Sequence, residues 1–324
     1  PATRQAVADG LKTETGMAFT AADIVMTCGA AAAINVVLKT ILNPGQEVII
    51  LSPYFVEYGY YIDNHGGTAV IVATDESFQP DLKAIEGAIN ERTRAIIINS
   101  PNNPSGVVYP RELLAALGEL LAHSEKKHGG EIYLISDEPY RRIIYDGLSY
   151  PQVFPHHLNT IVVNSHAKDL ALPGERIGYM AVNPDCPDKA ELADGLTFCN
   201  RMLGFVNAPA LMQHVVRALQ GVTVNPLDYQ RKRDFLYSRL TQMGYTVTHP
   251  QGAFYLFPES PVDDDVAFVD ALQNWNVLTV PGRGFGTPGY FRISYCVEDK
   301  VLEGAMYGFA KAAEEFGLQG AHSD

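Results

Sequence analysis

Lys168 follows the apolar run Ile161 to Val163 and a short polar turn, and Arg176 comes eight residues later, past Pro173-Gly174. A lone loop lysine is ordinarily just a solvated residue. A lysine just beyond a buried strand can instead serve as an amine nucleophile or a proton carrier. Other chemically capable residues stand at comparable places. Gly29-Ala30-Ala31 opens a helix and offers backbone N–H groups to an anion. Phe55 and its neighbour Tyr54 supply an aromatic face. Asn103 lies in the turn SPNNPSG (100–106), Asp137 and Tyr140 in SDEPY (136–140), Ser165 just before Lys168, and Arg292 inside YFRISY (290–295).

The positions of these residues are set by alternating elements. Apolar stretches at 24–27, 47–52, 68–74, 94–100, 131–136, 160–165 and 177–182 read as strands. Between them lie helical patterns. Ile34, Val37, Leu38 and Ile41 share one face, a second helix is capped by Asp81, and a third runs from about 110 to 124 with proline in its first turn. Strands separated by helices need crossover connections. The expected fold class is therefore α/β, a mostly parallel sheet with helices on both faces. Ligands in such sheets bind at the carboxyl ends of the strands, where the residues above fall.

After about residue 222 the texture becomes α+β. A charged amphipathic helix (227–243) is followed by short strands at 252–258, 276–281 and 290–296, a helix at 265–275 and a last helix at 299–315. The expected division is a large ligand-binding domain, 1–222, and a smaller C-terminal domain, 223–324. There is no internal repeat, and the tail 317–324 reads as frayed.

An amine, a carboxylate, an amide, a phenol, an aromatic face and an anion nest on one sheet edge match the needs of pyridoxal phosphate. Its aldehyde takes a lysine and its ring nitrogen a carboxylate. Its phenolate takes donors, its ring face an aromatic, and its phosphate backbone N–H groups and an arginine. The segment SHAKDLALPGERIG (165–178) resembles the pyridoxal-phosphate lysine signature of class I/II aminotransferases, the fold type I family similar to aspartate aminotransferase. SPNNPSG, SDEPY and YFRISY resemble three further motifs of that family in the same order, and the resemblance runs from Pro1 to about residue 316.

The resemblance implies a fold type I large domain and roles residue by residue. Lys168 is the Schiff-base lysine and proton shuttle, Asp137 pairs with the ring nitrogen, and Asn103 and Tyr140 donate to the phenolate. Phe55 stacks on the ring, with Tyr54 its rival. Gly29, Ala30, Ala31, Ser165 and Arg176 hold the phosphate. Arg292 clamps the substrate α-carboxylate, and Asn103 also binds substrate. The implied reaction is ping-pong transfer of an amino group from an L-amino acid to a 2-oxo acid, in a cytoplasmic homodimer with sites at the subunit interface. A carbon–sulfur lyase or synthase on the same fold, or the cofactor-sensing domain of a transcription regulator, would use the same set.

The chain departs from the family pattern at several points. Ala167 stands where many relatives have serine, and Ser105 where threonine is common. His166 occupies a place that is usually apolar or aromatic and reads as a histidine packed under the turn. The family's N-terminal arm, with a tyrosine that reaches the partner's phosphate, would lie before Pro1.

Other features are bland. Gly282 to Gly286 reads as a flexible loop over the site, His156-His157 has no partner at metal-ligand spacing, and Glu125 to His128 reads as a solvated helix end. Arg201 and Arg283 are candidates for a second carboxylate contact, or ordinary surface charges. The leaning is towards a neutral or broad amino donor with 2-oxoglutarate as acceptor.

The formal net charge of −13 over 324 residues argues against a nucleic-acid backbone as partner. The 47 % hydrophobic content suffices for a large core. No apolar run reaches membrane-spanning length, and no signal peptide is visible. The four cysteines, without CxxC pairing, read as reduced thiols. No metal site is expected.

Overall fold

The structure, a computed structural model, describes residues 1–318. The expected fraying of the tail falls partly on 319–324, which lie outside the described residues. Seven strands form the main sheet: β1 (Ile24–Thr27), β2 (Glu47–Ser52), β3 (Thr68–Ala73), β4 (Thr93–Asn99), β5 (Tyr133–Asp137), β6 (Thr160–Ser165) and β7 (Gly178–Val182), in the spatial order β1-β7-β6-β5-β4-β2-β3. The pairs β2–β3, β2–β4, β4–β5 and β5–β6 are parallel, whereas β7 runs antiparallel to both β6 and β1. The sheet is thus mostly parallel, as expected, with one reversed strand.

Strand periodicity splits the core in two. Ile49, Leu51, Ile96, Ile98, Leu134 and Val162 point to one face, where they meet Val7 and Leu11 of α1 (Ala2–Thr15), Ile85 of α4 (Leu82–Ala88) and Leu117 and Leu121 of α5 (Arg111–His128). Val48, Ile50, Ile97, Ile135, Ile161 and Val163 point to the other. There they meet α2 (Ala30–Ile41), Ile62 of α3 (Tyr58–Asn64) and Leu192 and Leu196 of α7 (Lys189–Met202). With both faces covered, these strands are apolar throughout. A one-turn helix, α6 (His166–Asp169), carries Lys168 directly after β6.

The remaining elements follow α8 (Ala210–Ala218). They are α9 (Pro226–Gln242), β8 (Tyr255–Leu256), α10 (Asp265–Asn274), β9 (Val280–Pro281), β10 (Phe291–Ser294) and α11 (Asp299–Glu315). β10 is the middle strand of an antiparallel sheet between β8 and β9. A third apolar cluster packs here, joined by Tyr140, Ile143 and Tyr145 from the chain after β5.

All three of these strands are shorter than expected, the first two for a visible reason. Ala253 and Asn276 both take positive φ, which no strand sustains, so extended pairing begins only after them. Helix α5 is longer than expected and runs to His128 before Gly129 caps it in the left-handed region. Its Glu125 is not a solvated end. It accepts from the Ile132 N–H at 2.9 Å and from Asn159 at 2.7 Å, tying the helix to β5 and β6. Among the described residues, no helix is long and apolar enough to cross a membrane.

Candidate active site

The sheet register brings the chemistry together. Asn99, the last residue of β4, lies opposite Asp137, the last of β5, and Asp137 lies opposite Val163 of β6. Because β7 is reversed, its first residue, Gly178, sits at this same edge, opposite Ser165 on one side and Thr27 of β1 on the other. The segments just beyond these positions therefore converge. They line a pocket of about 290 Å³ that includes Ala30, Ala31, Phe55, Asn103, Asp137, Tyr140, Ser165, Lys168, Arg176 and Arg292. Gly29 borders it as the residue before α2.

Lys168 is partly buried, its Nζ 5.4 Å from the ring centre of Phe254 and 5.9 Å from that of Tyr140. Burial pushes its ammonium down from the ordinary value. Cys296 opposes this, while Arg292 and Arg176 lower it further. Three of these four effects favour a neutral, nucleophilic lysine. Asp137 is buried, and burial pushes its carboxyl up to about 7, against the hydrogen bond from Tyr58 that works to lower it. Tyr58 Oη donates to Asp137 Oδ2 at 2.5 Å. Asp137 Oδ1 is buried with no hydrogen-bond partner. A fully buried carboxylate oxygen without a donor is costly and calls for a cationic N–H.

Asn103 is fixed at both ends. Its backbone N–H donates to Asn99 Oδ1 at 2.7 Å, and its side-chain oxygen accepts from Arg292 Nη1 at 2.9 Å. The Asn103 amide nitrogen is thereby left to donate into the pocket. Arg292 is held between Tyr255 and Phe285, its guanidinium carbon 4.7 and 4.8 Å from their ring centres, and its Nε is buried without a partner. Tyr140 and Tyr255 share a hydrogen bond of 2.8 Å.

The anion cradle has a backbone cause. Gly29, at φ +88°, turns the chain from β1 into α2, so the first amides of a twelve-residue helix face the pocket without intrahelical partners. A Cβ on Gly29 would come within 3.2 Å of Arg176 Nη2, which places that guanidinium beside the helix start. Arg176 takes φ +50°, and its Nη1 donates to Pro173 O at 3.0 Å. The Ser165 hydroxyl accepts from the Ala167 N–H at 3.1 Å, capping the turn that carries Lys168.

Pyridoxal phosphate suits these residues. The unpartnered Asp137 Oδ1 answers a protonated ring nitrogen, and the helix start with Arg176 answers a phosphate. Phe55 reaches the pocket, whereas Tyr54, its rival in the sequence, turns to Gly286. His166 does not line this pocket. Gly282–Phe285 forms a 3₁₀ turn rather than a loose loop, because Phe285 is buried beneath Arg292 and Arg283 is tied to Asp264 and Asp265 at 2.7 and 2.9 Å. Those bonds engage the Arg283 guanidinium, Arg201 is exposed on α7, and neither lines the pocket.

Tyr58, Tyr255 and Asn99 were missed in the sequence reading. Asn99 had a signal, an amide ending an otherwise apolar strand. Tyr58 had none, since an aromatic residue in a short helix reads as core.

Comparison with known proteins agrees with this picture. The family model for aminotransferase class I and II matches residues 1–307. The aspartate/prephenate aminotransferase of Thermus thermophilus is 37 % identical over 321 residues, 96 % of this chain and 80 % of that protein. The aspartate aminotransferase of Geobacillus stearothermophilus is 32 % identical, covering 94 % and 80 %. A crystal structure of an aminotransferase from Eubacterium rectale has a TM-score of 0.95 at 42 % identity, covering 97 % of this chain and 80 % of that one. The Thermus thermophilus aspartate aminotransferase with maleate has a TM-score of 0.83 at 31 % identity, covering 96 % and 81 %.

Proposed function

The chain belongs to the class I and II aminotransferases, and from that premise we propose how its own residues perform the transfer. Family members use pyridoxal phosphate to move an amino group from an amino acid to a 2-oxo acid. When bound, the cofactor acts as an electron sink for the charge that develops on the substrate Cα. Asp137, through Oδ1, keeps the ring nitrogen protonated and so keeps that sink strong. Lys168 would hold the cofactor until substrate arrives, and its freed Nζ would then carry the proton that leaves the substrate Cα. Asn103 and Tyr140 donate to the phenolate, Phe55 covers the ring face, and Gly29, Ala30, Ala31, Ser165 and Arg176 hold the phosphate.

Arg292 takes the substrate α-carboxylate. Its Asn103 contact and its two aromatic walls pre-set the guanidinium, so little freedom is lost on binding. The observation that carries the reading is the unpartnered Asp137 Oδ1 in one pocket with Lys168.

For the donor we propose an amino acid with a neutral side chain. The cations lining the pocket are Lys168, Arg176 and Arg292, all with roles already, and nearby Glu57, whose carboxyl burial raises although Arg292 works to lower it, adds an acid rather than a cation. Several relatives are named for aspartate, and an aspartate-preferring chain would draw its second cation from a partner subunit. Half-reaction rates with alanine and aspartate separate the two, and a faster aspartate reaction overturns the neutral reading.

A homodimer is part of the proposal. Tyr60 on α3 and Phe198 and Met202 on α7 are exposed by 62 to 72 %, on two helices that both pack on α2, whose start borders the site. The division at 222/223 is proposed on the second sheet and third apolar cluster lying mostly beyond that point. A cytoplasmic location rests on the free cysteines, Cys28, Cys186, Cys199 and Cys296. Absorbance of the purified protein with pyridoxal phosphate, before and after an amino acid, tests the whole reading. The lysine-bound band should form and then give way to the aminated cofactor, and a protein that forms no band refutes the assignment.

A further inference from the structure

Successive residues around Lys168 divide between two spaces. Ser165, Ala167 and Lys168 line the active-site pocket. Asn164, His166 and Asp169 line a separate recess of about 10 Å³, closed by Glu14 of α1, by Tyr179 of β7 and by Gln220. His166 and Asp169 are 7 and 6 % exposed. His166 Nδ1 lies 3.4 Å from Asp169 Oδ2, which leaves His166 Nε2 and Asp169 Oδ1 buried without partners. Their backbones are anchored. The His166 N–H donates to Ile177 O at 3.0 Å, and the Val224 N–H donates to Asp169 O at 2.7 Å.

We propose that the recess binds one water molecule that bridges His166 Nε2 and Asp169 Oδ1, and that this bridge positions Lys168. A volume of this size holds about one water, and two unmatched polar atoms supply the partners such a water needs. The two residues bracket Lys168 within the single turn of α6, so clamping both from behind fixes the direction in which Nζ projects. A four-residue helix has too few internal bonds to hold its own shape and depends on such outside contacts. His166 and Asp169 are positioning residues. Neither lines the active-site pocket.

The inference rests on the assignment of Lys168 above, and the test separates the two. In His166→Asn the amide nitrogen stands in for Nδ1 and the water partner is lost. In His166→Gln the amide reaches the place of Nε2 and keeps it. In His166→Asn, kcat should fall about tenfold with KM within about twofold, because misaiming a catalytic group slows turnover without weakening binding. The circular dichroism induced in bound pyridoxal phosphate should change as well. His166→Gln should match the parent in both readouts. A high-resolution crystal structure of the parent should place a water within hydrogen-bond distance of both atoms.

Equal behaviour of the two variants, once both are shown to be folded by far-ultraviolet circular dichroism, overturns the proposal, as does a dry recess. Impairment in Gln but not in Asn also overturns it, in favour of the direct Nδ1–Asp169 contact. Failure of the parent itself to form a lysine-bound band refutes the Lys168 assignment instead.

Discussion

In the proposed mechanism Lys168 and Asp137 hold most of the chemistry, and each makes its own prediction. Lys168→Ala should still bind pyridoxal phosphate, since the phosphate cradle and Asp137 remain, but should lose the lysine-bound absorbance band. Retention of that band after dialysis would mean that another amine is used. For Asp137 the pH dependence has a definite sign. Its carboxyl is raised by burial from 3.8 to about 7 in the cofactor-free protein. A raised carboxyl stabilises the fold below its unfolded value, and that contribution is lost as pH climbs towards 7. Asp137→Asn should therefore make the cofactor-free protein more stable than the parent at pH 8, by up to ~4 kcal/mol. The two should converge near pH 4, and urea unfolding at the two pH values reads the difference. The same variant should transfer amino groups about 10²-fold more slowly or worse, because a charged partner for the ring nitrogen is gone. Tyr58→Phe removes the donor that holds Asp137 in place and should cost about 1 to 3 kcal/mol of transition-state stabilisation. Unchanged kcat/KM would show that Tyr58 only fills space.

At the scale of elements, the reversed strand β7 is what closes the site. It returns the chain so that Arg176 and Gly178 meet the end of β6 and the start of α2. The contact is tight. A Cβ on Gly178 would lie 2.3 Å from Asn164 O and 3.0 Å from Gly29 Cα. Gly178→Ala must therefore push β6, β7 and the Gly29 turn apart. It should lose about 2 kcal/mol or more of stability and weaken cofactor binding, and both can be followed by urea unfolding and cofactor titration. A neutral result would mean that the strands slide apart freely. The strands of the main sheet were legible in the sequence to within two residues, because strands buried on both faces must be apolar throughout. Helices α3, α7 and α8 were not read. Tyr58–Asn64 is short and aromatic, and its helical form depends on packing against α2 and β3 rather than on any period of its own.

At the scale of the whole molecule, cofactor and fold are linked. The pocket draws on strand ends of the main sheet, on β10 through Arg292 and on Tyr255 of β8, so it is lined from both sheets. Pyridoxal phosphate at 100 times its Kd should add about 2.7 kcal/mol to the stability of the chain. Differential scanning calorimetry should show Tm rising with cofactor concentration. A Tm indifferent to cofactor would mean that binding leaves the folded state no better off than the unfolded chain. If the proposed homodimer forms, sedimentation should give twice the chain mass, and Phe198→Glu with Met202→Glu should shift it to the monomer.

The sequence by itself determined the alternation of strands and helices and the residue types at the strand ends, because apolar periodicity and turn chemistry are local properties. It also carried Lys168, Asp137, Asn103, Tyr140, Phe55, Arg176 and Arg292 as candidates. Only the tertiary structure decided that β7 runs backwards and brings Arg176 to Gly29. It also decided that Phe55 and not Tyr54 faces the pocket, that Tyr58 holds Asp137, and that Arg292 stands between Tyr255 and Phe285. These are contacts between segments far apart in the chain. A residue's type constrains what it can bond, but sheet order and register choose which partner it meets.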